Sequence, residues 1–113
     1  NLIGAVLLHV DYTAPVERIR SKLTEIVNAS KLWDGQVAKL QVTDAKESSV
    51  ELRVLVSARS SADAFELRCE VREKLIEFLQ RDYPNALPRT RQEVVAPDQQ
   101  PMADGRPARS ATR

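Results

Sequence analysis

His9 and Cys69, the only histidine and only cysteine of this sequence, are the side chains whose types point most directly to proton transfer, nucleophilic attack or metal binding. Such chemistry needs several titratable groups converging on one point. The residue pattern puts these two on different elements, a strand for His9 and a helix for Cys69. His9 therefore reads as a half-exposed strand residue, and Cys69 as a small apolar filler on a helix flank. No His/Cys cluster has metal-ligand spacing, and the acidic residues are dispersed over helix surfaces. The glycines Gly4, Gly35 and Gly105 stand too far apart to cradle a phosphate. Arg68 and Arg72 have the chemistry to grip an anion, but Glu66, Glu70, Glu73 and Glu77 interleave with them, which reads as a solvated, salt-bridged helix face. The expectation is a protein that is not an enzyme and holds neither cofactor nor metal.

The elements that carry these residues follow from hydrophobic spacing. Leu2 to Tyr12 predicts a strand, with Val6, Leu8, Val10 and Tyr12 on one face and Ala5, Leu7, His9 and Asp11 on the other. Thr13-Ala14-Pro15 opens a helix, with Thr13 as the expected N-cap and Val16, Ile19, Leu23, Ile26 and Val27 as its apolar stripe. Trp33-Asp34-Gly35 reads as a turn whose single indole covers one end of the core rather than stacking on a ligand. Ala38, Leu40 and Val42 then alternate with Lys39, Gln41 and Thr43 as a half-buried strand. The polar stretch Asp44 to Ser48 makes a hairpin to a third strand, about Ser49 to Ala58. There Val50, Leu52, Val54 and Val56 point inward, and Glu51, Arg53, Leu55 and Ser57 point the other way. Ser60 with Asp63 approximates a capping box for a second helix. Ala64, Leu67, Val71, Leu75 and Phe78 are its buried stripe, and Pro84 stops it near Tyr83. The order β-α-β-β-α, with both helices on one face of an antiparallel sheet, is an α+β, ferredoxin-like split β-α-β plan without a clear last strand. Residues 1–91 form the expected domain and 92–113 a largely disordered tail, rich in Pro and poor in apolar residues. Val94-Val95 is the one place there that could seed a further strand.

The bulk figures agree with one small globular unit. The chain has 113 residues, 42% hydrophobic and 29% charged, with aromatics at only 4%, so Val, Leu, Ile and Ala must build the core. The net charge of +1 draws it neither to nucleic acid nor to an acidic membrane surface. RNA-binding domains of this topology stack bases on exposed strand aromatics, and the outward positions Leu7, His9, Arg53 and Leu55 offer none. No nucleic-acid partner is expected. The longest apolar run, Leu2 to Leu8, is far short of the ~20 residues that a membrane-spanning helix needs, and it lacks the marks of a signal peptide. A beginning at Asn1 rather than Met reads as a piece of a longer protein.

Ordered phrases of sequence carry a more specific reading. Val10-Asp11-Tyr12-Thr13-Ala14-Pro15-Val16 leads into the first helix, followed by Leu32-Trp33-Asp34-Gly35 and Leu40-Gln41-Val42-Thr43-Asp44. Then come Glu51-Leu52-Arg53-Val54-Leu55-Val56-Ser57-Ala58, Phe65 to Leu75, and Pro84-Asn85-Ala86-Leu87-Pro88-Arg89-Thr90-Arg91. In this order, from about Leu2 to Glu93, they resemble the extreme C-terminal portion of the bacterial small-conductance mechanosensitive channel family. The resemblance implies a cytoplasmic α/β module that assembles with its neighbours into a hollow cage below the pore. It implies a homo-oligomer, a heptamer, on the cytoplasmic side of the bacterial inner membrane. Membrane tension opens the pore of such channels, and solutes escape in osmotic downshock. Only the cage module is matched, so no gating residue carries over, and Glu93 to Ala96 shows no clear counterpart of the family's terminal strand. The alternative is a free-standing ferredoxin-like binding or oligomerisation module.

Under either reading the residues of interest lie on the sheet face that the helices leave bare. Leu7 and Leu55 are expected there on neighbouring strands, flanked by His9, Arg53 and Lys39. Leu7, Leu55 and Arg53 are the candidate interface.

Overall fold

The computed structural model describes residues 1–88. The expected tail, 92–113, and the possible strand at 93–96 lie outside these residues. The elements are β1 (Leu2–Val10), α1 (Val16–Asn28), β2 (Trp33–Ala45), β3 (Val50–Ala58) and α2 (Ser61–Asp82), closed by a 3-10 turn at Pro84–Ala86. The fold is α+β. A three-stranded antiparallel sheet in the order β1-β3-β2 carries two helices, in the β-α-β-β-α sequence of a small ferredoxin-like sandwich.

The core lies between the sheet and the helices. Val6, Leu8 and Val10 of β1 and Val50, Leu52, Val54, Val56 and Ala58 of β3 are buried, as strict alternation demands. Ile19, Leu23, Ile26 and Val27 of α1 close over them, with Ala64, Leu67, Val71, Leu75, Phe78 and Leu79 of α2. Ser60 caps α2, its hydroxyl accepting from the Asp63 amide at 3.1 Å. The chain then folds back onto the end of β1, where the Asp11 amide donates to the Ala86 carbonyl at 2.7 Å.

Several expectations about the elements fail, each for a physical reason. Thr13 does not cap α1; its amide and hydroxyl both donate to the Asp11 carboxylate, and Pro15 occupies the cap position with no side-chain bond. The Asp11 side chain holds Thr13 in a local turn that competes with capping. β1 stops at Val10, so Tyr12 leaves the strand and is exposed, its hydroxyl donating to the Lys46 carbonyl. Trp33-Asp34-Gly35 is no free turn. It lies inside β2, whose pairing with β3 is irregular between Trp33 and Ala38. Ala38, Leu40 and Val42 do stand opposite the buried Val56, Val54 and Leu52, but β2 is an edge strand and only Leu40 is in the core, while Ala38 is exposed and Val42 is 48% exposed.

Candidate interaction surface

The face away from the helices is built by the alternate residues of the same three strands. β1 contributes Ile3, Ala5, Leu7 and His9, all exposed. The register sets Leu7 opposite Arg53, Ala5 opposite Leu55 and His9 opposite Glu51. From the other side Lys39 stands opposite Leu55, and Gln41 opposite Arg53. Leu7 and Leu55 are therefore diagonal neighbours on adjacent strands, within reach of each other across the pleat. Leu7 is 50% exposed and Ile3 57%, whereas Leu55, on the central strand, is half-buried by its flanks. The result is an oblique apolar stripe, Ile3-Ala5-Leu7 with Leu55, bordered by polar groups.

Those polar groups are partly satisfied among themselves. Arg53 is exposed and its guanidinium donates to the Gln41 side chain at 3.2 Å. His9 Nε2 lies 3.7 Å from the Glu51 carboxylate, its cross-strand neighbour. All three candidate interface residues thus share one face. Arg53 sits between Leu7 and Gln41, so it borders the apolar stripe rather than extending it.

Ser57 departs from this face. It was expected outward, and by register it is, opposite Ile3, yet it is fully buried. The β2 bulge folds over it. The Val37 amide donates to its hydroxyl at 2.7 Å, and that hydroxyl donates to Asp34 Oδ1 at 2.5 Å. Asp34 Oδ1 also accepts from the Gln36 amide at 3.0 Å, and Gly35 supplies the positive φ of 84° that the bend requires. The Ser57 hydroxyl, more than the Gln36 amide, holds the Asp34 carboxyl below its usual range. Trp33 anchors the same bulge, half-buried against the core with its indole N–H donating to the Val37 carbonyl at 2.9 Å. In the sequence, the positions of Asp34, Gly35 and Ser57 gave no sign that they would meet.

Of the remaining candidates, Cys69 is half-buried on the α1 side of α2, lining an open hollow of about 530 Å³ with Ser30, Leu32 and Glu70. Glu70 accepts there from the Ser30 hydroxyl at 2.7 Å and pairs with Lys74 at 3.6 Å. The expected salt-bridged face does not include the arginines. Arg68 and Arg72 form no ion pair among the described residues, because neither has a carboxylate three or four positions away on the helix. Arg68 instead crosses the sheet at Gly4, where a Cβ would come within 2.7 Å of its Cδ. His9 and Cys69 do not meet, and no group of three or more His, Cys, Asp or Glu among the described residues could hold a metal ion. No described helix is long and apolar enough to cross a membrane. Comparison with protein-family models and with curated proteins finds no match.

Proposed function

We propose that this chain is an assembly domain, the cytoplasmic cage module of a tension-gated channel of the small-conductance mechanosensitive type. The observation that carries the assembly reading is the apolar stripe of Ile3, Ala5, Leu7 and Leu55 on the sheet face without helices. Covering the exposed half of a leucine stabilises by roughly 1 kcal/mol, and a closed ring repeats that gain at every subunit contact. Arg53 and Lys39 border the stripe and set which approach of a neighbouring copy avoids like charges. The channel reading rests on the resemblance of the ordered phrases between Val10 and Arg91 to that channel family, and it is this resemblance that implies a homo-heptamer at the bacterial inner membrane.

Patch-clamp recording of the protein encoded by the reading frame that contains this chain, in a channel-deficient host, tests the reading. A tension-activated current, with survival of osmotic downshock, is expected. A protein that gives no such current is not a channel of this type. The domain would then be a free-standing oligomerisation module, a reading that the same apolar stripe supports.

A further inference from the structure

Among the described residues the sheet has two edges without a neighbouring strand, and they are not alike. β2 is interrupted twice in its pairing, between Trp33 and Ala38 and between Val42 and Asp44, and it carries Lys39. Bulges and lysines are the devices that keep an edge from accepting another strand. β1 has neither. It pairs with β3 through nine consecutive residues without irregularity, and Leu2 to Val10 contains no Lys, Arg, Asp, Glu or Pro. Its other side is unpaired among the described residues.

The flank of α2 beside this edge is specific in its chemistry. Phe65, Arg68 and Arg72 follow one another at helical spacing, so they line one side of the helix. Phe65 is 55% exposed, and the Arg68 guanidinium carbon lies 5.6 Å from its ring centroid. The Arg68 stem lies flat over β1 because residue 4 is glycine. Both arginines are half-buried, and neither has a carboxylate partner among the described residues.

We infer that the edge of β1 left unpaired among the described residues takes an extended segment of another polypeptide, one in which acidic and apolar residues alternate. An added strand would place its side chains by turns on the two sheet faces. Those on the bare face would stand beside Ile3, Ala5 and Leu7, where apolar residues fit. Those on the helix face would lie below Arg68 and Arg72, where carboxylates form charge-assisted hydrogen bonds. Main-chain bonds to β1 supply affinity, and the two arginines select the sequence. The site borders Ile3, Ala5 and Leu7 of the assembly stripe, but it uses the edge of β1 and the α2 arginines, and its test does not depend on the channel reading.

The probe is a capped Glu-Val-Glu-Val-Glu-Val-Glu peptide added to the 113-residue chain, followed by amide NMR shifts and calorimetry. Shifts confined to β1 and to the Phe65–Ile76 side of α2 are expected, with binding that weakens as salt rises. Arg68→Gln with Arg72→Gln should weaken binding ~10-fold while circular dichroism stays unchanged. A Lys-Val peptide and a backbone N-methylated Glu-Val peptide should not bind. The inference is overturned if the Glu-Val peptide leaves β1 unperturbed, if the Lys-Val or N-methylated peptide binds as well, or if the arginine variant binds undiminished. Concentration-dependent pairing of β1 with a second copy, in place of the peptide, also overturns it.

Discussion

At the scale of single residues, the most consequential side chain is a serine that looks dispensable. Ser57 bridges β3 to the β2 bulge, accepting from the Val37 amide and donating to Asp34. Ser57→Ala would leave that amide without its partner in a part-buried setting, at a cost of about 1–3 kcal/mol. It would also release the Asp34 carboxyl toward its ordinary range, since the serine hydroxyl is the main cause of its depression. A carboxyl with a depressed folded-state pKa binds fewer protons in the native than in the unfolded state. Its contribution is therefore present above the unfolded value and is lost as pH falls through the folded one. Urea unfolding across the acid range should show wild-type stability falling in that window and the Ser57→Ala curve flatter. Parallel curves would mean that Asp34 does not depend on this hydroxyl. Trp33 guards the same bulge. Its ring is only half-buried, so Trp33→Ala should cost about 2 kcal/mol, below the ~3–5 typical of a fully buried ring. A thermal midpoint unchanged from wild type would place the ring outside the folding unit.

At the scale of elements, α2 behaves as its sequence reads and β2 does not. The α2 stripe of Ala64, Leu67, Val71, Leu75 and Phe78 is buried in full, and Ser60 caps it as its position before the first helical turn implies. Ser60→Ala should cost ~1 kcal/mol of stability, measured by chemical denaturation, with the contents of the core unchanged. A loss near zero would show that the Asp63 amide finds water as readily as the serine. Helix periodicity and capping are local, so they can be read along the chain. Strand β3 was equally legible, because burial on its inner face follows strict alternation. The failures come where one element overrides the local pattern of another. Val42 alternates like a core residue, but it lies on an edge strand and is 48% exposed. Ser57 alternates like a surface residue, but the bulge from β2 is folded over it. Thr13 has the chemistry of a cap, yet the Asp11 carboxylate engages it first. The candidate site shows the same division. Leu7, Leu55 and Arg53 could be placed on one face by alternation alone, whereas the flank of Arg68 over Gly4 depends on how α2 crosses β1, which no local pattern records.

At the scale of the whole molecule, a sheet covered on one side must account for its other side. Isolated apolar residues on a surface are ordinary. Here, however, Ile3, Ala5 and Leu7 run consecutively along one face of β1, and Leu55 adjoins them diagonally. Converting that stripe to charge is the direct test of whether copies meet there. Leu7→Asp would stand opposite Arg53, so it forms an opposite-charge cross-strand pair and the fold should tolerate it. Leu55→Arg would stand opposite Ala5 and Lys39, a milder conflict on a position that is only half-buried. Together they keep the helix-side core intact, because none of the residues buried beneath α1 and α2 is touched. Circular dichroism of the double variant should therefore match wild type, with a loss of stability of about 1–2 kcal/mol at most. If the channel reading proposed above holds, light scattering of the detergent-solubilised parent protein should show a smaller or less stable oligomer. Leu7→Ala with Leu55→Ala, which removes the apolar contact without adding charge, should weaken the oligomer less. If the charged variant assembles with unchanged mass and stability, this face is solvated surface, and the contacts between copies lie on other parts of the domain.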